Sequence, residues 1–229
     1  MGREVFLTPI KFGGDGWFTA GTDGTTDDTY EIAGDFEQTE KKRYTFENTD
    51  WAIDWRFLRH PHEENYTLTD NKAVLRGTAV TLDEVDSPTF VGIHQKDFRF
   101  ELRTAVSVSG ENGGGVTAYM TELEHYDVAV RKNGSGYEAV LKLNIGGIKH
   151  EQTVVPLSSG DAEIIIRADN FQYNFYVSQN GKEEYLGCGS TKYLSSEVAG
   201  GFTGVVLGLY AVGNVTAEFT DFEINYSEE

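Results

Sequence analysis

The chain has 229 residues and a mass of 25.4 kDa, the size of one large all-β domain that can bury a core without disulfide bonds. It carries 37 acidic and 19 basic side chains, for a net charge of −18. This charge excludes a nucleic acid as the main partner, because proteins bind phosphates chiefly through Lys and Arg. A neutral or cationic ligand is compatible with this charge. An aromatic content of 13% excludes a disordered acidic chain.

Residues 1–30 are rich in turn-forming residues and weakly apolar. Residues 23–40 carry seven acidic side chains before the first basic residue of this stretch, Lys41. Charge runs of this kind are typical of solvated linkers and edges. We therefore expect residues 1–30 to lie apart from a folded module over residues 31–229.

From residue 44 onward, apolar side chains alternate with polar ones, which is the period of β-strands. A strand is predicted around residues 98–108. Hairpins are predicted with turns at 132–136 and 168–170, the second leading into a strand over 171–177. No sustained helical period is present, so the pattern predicts an antiparallel β-sandwich or jelly roll. The alternation changes phase at Asp221, which predicts a β-bulge there.

Neither an export signal nor a membrane span is expected. No apolar run follows the basic residue near the start, and the uncharged stretch 198–217 contains five glycines, which favours a buried strand with turns over a bilayer helix. We expect no membrane partner. Cys188 is the single cysteine, so the fold does not depend on an internal disulfide.

The common catalytic motifs are absent from the sequence, including the nucleophile elbow, the zinc-protease helix and the phosphate loop. The Glu-x-Asp-x-x-Glu strand of sandwich glycosidases is absent too, so no catalytic residue is assigned. The segment HPHEE at 60–64 is interpreted as a surface loop rather than a zinc site. Asp221 would hold a structural calcium ion if the bulge turned its carboxylate inward, and an exposed edge residue is the alternative. No cofactor is otherwise expected.

Aromatic and planar polar side chains suit a carbohydrate, because sugars stack their C–H faces on rings and direct their hydroxyls to polar groups. The candidates for such a mixture are Trp55, Tyr66, His94, Gln95, Tyr119 and His125. Any single ring of this kind is more often a core residue than a platform for a ligand. Only their convergence on one concave face would make a site.

The order of several motifs resembles a known family. GREVFLTPI at 2–10 and GDGW at 14–17 are similar to the closing strand of the catalytic propeller in glycoside hydrolase family 43 β-xylosidases. The rest resembles the concanavalin A-like β-sandwich that follows that propeller, a xylan-binding module of carbohydrate-binding module family 91 type. The matching segments are WRFLRHP at 55–61, SPTFVGIHQ at 87–95, residues 118–128, GGFTGVVLGLYA at 200–211 and AEFTDFEINY at 217–226.

The resemblance implies that residues 1–30 are the end of a catalytic propeller plus a linker, and that the catalytic carboxylates lie elsewhere in the parent enzyme. The expected partners are xylan or xylo-oligosaccharides and the propeller itself. The resemblance further implies that Phe202 contributes a ring to the xylose pocket. The family commonly has Arg-Gln where this chain has His94 and Gln95, which changes the charge of any contact there. The location implied is the bacterial cytoplasm, or the exterior as part of a longer exported enzyme.

Two other interpretations stay open at this point. A purely structural cap would bind no ligand by itself and would expose an apolar patch towards the propeller. A self-sufficient sandwich glycosidase would need a convergent pair of carboxylates.

Overall fold

The computed structural model describes residues 7–27 and 41–227. Of these, residues 7–27 belong to one compact unit and residues 41–227 to another. The smaller unit holds one antiparallel hairpin, formed by β1 (Ile10–Phe12) and β2 (Phe18–Ala20). The predicted boundary at residue 30 and most of the acidic run lie outside the described residues.

The larger unit is built almost entirely of strands. They are β3 (Lys41–Tyr44), β4 (Arg56–Phe57), β5 (Tyr66–Thr69), β6 (Lys72–Arg76), β7 (Thr89–His94), β8 (Phe100–Gly110), β9 (Gly113–Thr121), β10 (Glu124–Asn133), β11 (Gly136–Ile145), β12 (Ile148–Leu157), β13 (Asp161–Ala168), β14 (Gln172–Gln179), β15 (Lys182–Ser190), β16 (Val206–Val212) and β17 (Val215–Tyr226). Two 3₁₀ turns, Glu63–Asn65 and Thr191–Leu194, and one helical turn, α1 (Ser196–Ala199), interrupt them. In the part of the chain that the structure describes, no helix has the length and apolarity to cross a membrane.

The strands form two sheets packed face to face. The seven-stranded sheet has the order β12-β11-β10-β9-β16-β7-β4, and the eight-stranded sheet has the order β15-β14-β13-β8-β17-β6-β5 with β3 also paired to β17. The pairings between these strands are antiparallel. The all-β antiparallel sandwich is thus confirmed, as are the hairpins β10–β11 and β13–β14. The register shift between Thr220 and Glu223 confirms the bulge at Asp221.

The main core lies between the two sheets. It is formed by the side chains that point inward from each strand, because successive side chains of a strand point to opposite faces. Val128, Leu141 and Leu209 are examples from the seven-stranded sheet, and Ile166 and Phe219 from the eight-stranded sheet. The outer face of the seven-stranded sheet carries a second, smaller apolar cluster, whose buried members are Leu82, Phe90, Tyr119, Ala129, Val140, Val206 and Tyr210. Leu82 belongs to the loop 77–88 between β6 and β7. This loop therefore covers part of that outer face.

Candidate functional site

Three residues predicted to contact sugar lie in one row across the outer face of the seven-stranded sheet. His94 and Tyr119 both pair with Val206, which lies between them on β16. Tyr119 also pairs with His125 of β10, and the two rings stack with their centroids 5.7 Å apart. His94 is exposed, whereas Tyr119 and His125 are buried. The structure thus brings these three together, with only His94 of the three open to solvent.

His125 is held between two carboxylates. Its Nδ1 lies 2.9 Å and 3.0 Å from the two carboxylate oxygens of Asp127, and its Nε2 lies 3.2 Å from Oδ1 of Asp83. Burial disfavours the charged ring, but the negative charge of Asp127 and the hydrogen bonds to both carboxylates outweigh it and raise the pKa of His125 to about 9. At neutral pH His125 is therefore an imidazolium that donates two hydrogen bonds.

Asp83 fastens the loop 77–88 to the sheet. Besides His125 of β10, it receives a hydrogen bond of 2.7 Å from Nδ2 of Asn144 on β11. Nζ of Lys149 on β12 lies 2.9 Å from its second oxygen. The hydrogen bond from His125, reinforced by Lys149, holds the pKa of Asp83 well below its usual range although burial acts in the opposite direction. One carboxylate thus joins the loop to three neighbouring strands.

Two adjoining cavities flank this cluster. One, of about 220 Å³, lies over β10, β11 and β12. The other, of about 180 Å³, lies between the loop 77–88 and strands β9, β10 and β16. Both are lined by Asp83, His125, Asp127 and Lys142. We call the two together the outer-face pocket.

Phe202 lies elsewhere, in the loop between α1 and β16. Gly200, Gly201 and Gly204 have φ angles of 74°, 79° and 77°, in the left-handed region that glycine adopts without strain. The side chain of Phe202 is 65% exposed. The flanking glycines thus allow the loop to present this ring to solvent.

The end of the sandwich that carries Phe202 exposes further apolar side chains. Here β9, β11, β13 and β15 end and β10, β12, β14 and β16 begin. The exposed apolar residues at these strand ends and in the connections between them are Leu123, Ile148, Phe171, Tyr193 and Val198. Phe171 was predicted to be the first residue of a strand, but it lies in the turn before β14. There the backbone N–H of Phe171 donates a 2.7 Å hydrogen bond to the carboxylate of Asp169. We call this surface, with Phe202, the Phe202 end.

Gln95 and Trp55 direct their side chains into the protein. Oε1 of Gln95 accepts a 2.7 Å hydrogen bond from the hydroxyl of Tyr173, and its Nε2 donates to the backbone oxygen of Asp97 at 2.9 Å. Trp55 packs in the main core with its ring centroid 5.1 Å from that of Phe222. Because both side chains are buried, this conformation offers a sugar neither the ring face of Trp55 nor the amide of Gln95. The structure does not bring them into the row of His94, Tyr119 and His125.

Asp221 points outward from the bulge. Its φ angle is 52°, its side chain is about half exposed, and Oδ1 lies 2.6 Å from the guanidinium of Arg43. The calcium prediction required an inward carboxylate, so the geometry it depended on is not found. Within residues 7–27 and 41–227, no group of three or more His, Cys, Asp or Glu side chains is placed to hold a metal ion. Calcium binding stays a prediction.

Asp83, Asp127 and Asn144 were not singled out from the sequence as binding residues. One local signal was available for Asp127, since His125 and Asp127 are two apart on a predicted strand and so share a face. The placement of Asp83 and Asn144 depends on how the loop 77–88 and strand β11 meet β10 in space. That long-range contact has no local sequence signature.

Comparison with known protein families gives one match over most of the chain. Residues 43–225 match the family described as the β-xylosidase C-terminal concanavalin A-like domain. The match covers nearly all strands of the larger unit, including those that carry the outer-face pocket and the Phe202 end.

Two curated proteins are similar along almost the whole chain. A non-reducing end α-L-arabinofuranosidase of Bacteroides ovatus is 31% identical over 224 residues, which is 93% of this chain and 42% of that protein. A xylosidase/arabinosidase of Butyrivibrio fibrisolvens is 29% identical over 228 residues, or 93% of this chain and 44% of that protein. The chain thus spans less than half the length of these relatives.

Solved structures show the same architecture. The structure described as Bacteroides ovatus xyloglucan PUL GH43B superposes with a TM-score of 0.85 at 28% identity, covering 99% of this chain and 48% of that one. A xylan β-1,4-xylosidase from Bacillus halodurans superposes with a TM-score of 0.84 at 21% identity, covering 98% of this chain and 47% of that one. At 21% identity, the similarity to the Bacillus halodurans enzyme shows a shared fold only.

Proposed function

Since the chain belongs to the β-xylosidase C-terminal concanavalin A-like domains, the accessory modules of glycoside hydrolase family 43 enzymes, we propose that it binds β-1,4-xylan or xylo-oligosaccharides without catalysing their hydrolysis. Its functional class would be that of carbohydrate-binding module family 91. In the intact enzyme the module would cap the active site of a catalytic propeller with β-xylosidase or α-arabinofuranosidase activity.

The exposed ring of Phe202 carries this proposal. Phe202 is two-thirds exposed, and removing so large an apolar surface from water is favourable. A loop with three glycines in left-handed conformation presents it beside other exposed apolar residues. An apolar surface of this kind is typical of a contact with a second domain or with a ligand.

Charge and family relationship support the neutral glycan. A net charge of −18 repels polyanions but does not act against xylan, which carries no charge on its main chain. The curated relatives are a non-reducing end α-L-arabinofuranosidase and a xylosidase/arabinosidase. The small unit is consistent with a propeller neighbour, because its described hairpin exposes Ile10, Phe12 and Phe18.

The binding part of the proposal is tested by calorimetry with xylohexaose on the chain as it stands. We expect weak binding that Phe202→Ala reduces. Phe171→Ala is the control, since it removes a phenylalanine that is even more exposed than Phe202 and lies at the same end but outside the glycine loop, and it should leave affinity unchanged. No heat signal at millimolar ligand in the unsubstituted chain would contradict xylan binding.

The capping part is tested in the full-length enzyme. If Phe202 lines the substrate pocket there, Phe202→Ala should raise KM for a xyloside substrate while Phe171→Ala leaves KM unchanged. Equal kinetic constants for Phe202→Ala and the parent enzyme would contradict the capping role.

A purely structural cap is the second candidate, and the Phe202 end favours it because its apolar residues suit a buried domain interface. Such a cap would bind no xylohexaose as an isolated module. In the full-length enzyme, the backbone amides of the Phe202 end would be protected from hydrogen exchange. Calorimetry separates the two candidates, because a xylan-binding module that also caps the active site would show the same protection.

A further inference from the structure

Two buried polar atoms, one in the outer-face pocket and one beside it, have no hydrogen-bond partner among the described residues. Asn144 is 3% exposed and lines the larger cavity. Its Nδ2 donates to Asp83 and to the backbone oxygen of Glu122, but its Oδ1 has no hydrogen-bond partner among the described residues. Thr117 lies beside the pocket, since it pairs with the lining residue Asp127 across β9 and β10, and its fully buried Oγ1 also has no partner in that part of the chain. Leaving such a group unpaired costs about 1–3 kcal/mol, so a hydroxyl supplied from outside would be stabilised there.

The charges that line the larger cavity are balanced, and Arg131, which lines the smaller cavity, is paired with Glu138 and Glu151. His125, Lys142 and Lys149 are the cations, and Asp83, Asp127 and Glu151 are the anions that line the larger cavity. Neither a free anion nor a free cation is therefore favoured by net charge. Alternating donors and acceptors instead match neighbouring hydroxyls, each of which can donate one hydrogen bond and accept two.

The smaller cavity adds apolar surface. Leu82, Ala129, Tyr210 and Val212 line it next to the polar groups of Asp127 and Lys142. This combination suits a sugar ring, which presents C–H groups on its faces and hydroxyls at its edge. At about 180 Å³ and 220 Å³, the two cavities are small compared with sites for drug-sized ligands of ~300–1,000 Å³. They suit a single sugar unit.

We propose that the outer-face pocket is a second saccharide site, in which Asp127, Lys142 and Asn144 hydrogen-bond one pentose unit of a neutral xylo-oligosaccharide. This inference rests on the proposed function, because it takes the same glycan as ligand, but it places a sugar subsite on the outer face of the seven-stranded sheet and not at the ring of Phe202. Asp83 and His125 are positioning residues, since they hold the loop 77–88 and the carboxylate of Asp127 in place.

The test is a titration of the ¹⁵N-labelled chain with xylotriose, followed by ¹H–¹⁵N NMR. We expect amide shifts in β10, β11, β12 and the loop 77–88. Lys142→Met should reduce the affinity read from these shifts about tenfold, which corresponds to about 1.4 kcal/mol for one charge-assisted hydrogen bond. The half-exposed position of Lys142 makes this variant compatible with folding. Asn144→Leu should act in the same direction.

Two controls accompany these variants. Lys182→Met removes a lysine that is more exposed and lies on the eight-stranded sheet, and Phe202→Ala removes the ring at the other surface. Both should leave the shifts around Lys142 and Asn144 unchanged. Inorganic phosphate serves as the anionic probe and should not displace the signals that xylotriose moves.

The outcomes are distinguishable. Shifts confined to the Phe202 end, or a pocket response to phosphate alone, would overturn the second site while leaving xylan binding by the module intact. Equal xylotriose affinities at the pocket for Lys142→Met and the parent chain would overturn it too, and would indicate that the unpaired groups bind water only. No shift anywhere at tens of millimolar xylotriose would instead contradict the proposed function itself.

Discussion

The two outer faces of the sandwich follow the same strand alternation but are built differently. On the seven-stranded sheet, Phe90, Tyr119 and Tyr210 form a buried apolar cluster beside the buried pair of His125 and Asp127. On the eight-stranded sheet, partly exposed arginines and glutamates form a ladder, in which Glu101 accepts hydrogen bonds of 2.6 Å from both Arg103 and Arg167. The covered face is thus suited to holding a ligand in a fixed geometry, and the open face is suited to solubility.

The covered face owes its character to the loop 77–88. Its Leu82 completes the apolar cluster, and its Asp83 completes the polar one. No corresponding loop segment joins an apolar cluster on the ladder face among the described residues. The comparison predicts that equivalent substitutions on the two faces will have unequal effects.

Replacing an aromatic residue by alanine should show the largest difference in unfolding free energy between the two faces. Phe90→Ala on the covered face should lower the free energy of unfolding by about 3–5 kcal/mol, because the ring is fully buried and leaves a cavity. The ring packs against Gly208, where an added Cβ would lie 2.2 Å from it. Tyr176→Ala on the ladder face is the matched variant and should cost much less, since that ring is only half-buried and is covered by Arg167. Urea denaturation measures both, and equal costs would contradict the distinction.

The buried histidine should give the covered face a pH dependence that the ladder face lacks. Because its pKa is raised from 6.5 to about 9, the stabilisation from protonated His125 is fully present below pH 6.5 and is lost as the pH rises to about 9. A shift of this size corresponds to roughly 3 kcal/mol at ~1.36 kcal/mol per pH unit. The groups facing the ring are Asp83, Asp127, Asn144 and Tyr119.

Urea denaturation at pH 6, 7.5 and 9 measures this effect. His125→Gln should flatten the decline in stability between pH 6.5 and 9, while His94→Gln, which alters an exposed histidine on the same face, should keep it. An unchanged slope in His125→Gln would show that another group is responsible.

The fold was predictable to a greater extent than the site. Period-two alternation and the Asn-Gly turns predicted the hairpin β10–β11, because both signals are local. The same alternation placed Phe171 in a strand, where the capping carboxylate of Asp169 turns the chain instead. Trp55 was a plausible sugar platform in sequence, but its ring completes the core beside Phe222. The pocket depends on a loop that crosses from β6 to β7 and meets β10, β11 and β12, and no local pattern encodes that contact.

Weakening the contacts that hold the loop 77–88 on the sheet should lower the free energy of unfolding moderately. Asp83→Asn keeps the size of the side chain but removes the charge that Lys149 and His125 share. We expect a loss of about 1–3 kcal/mol, the usual cost when one partner of a buried, charged hydrogen bond is removed. Hydrogen exchange should then accelerate in the loop 77–88 and not in the strands of the ladder face. Unchanged exchange in the loop would mean that apolar contacts such as Leu82 hold it without Asp83.

The smallest effect is expected for a single charge on the ladder face. Glu183 accepts hydrogen bonds of 2.5 Å and 2.9 Å from Arg167, and these hold its pKa below the usual value. Both side chains are about one-third exposed, so Glu183→Gln should cost less than about 1 kcal/mol. In 1 M NaCl, salt should screen the Glu183–Arg167 ion pair and reduce the stability loss of Glu183→Gln further. The stability loss of Asp83→Asn should persist in high salt, because its partner His125 is buried. Thermal unfolding of both variants at low and high salt tests this contrast, and equal salt sensitivity would show that the covered face is as open to solvent as the ladder.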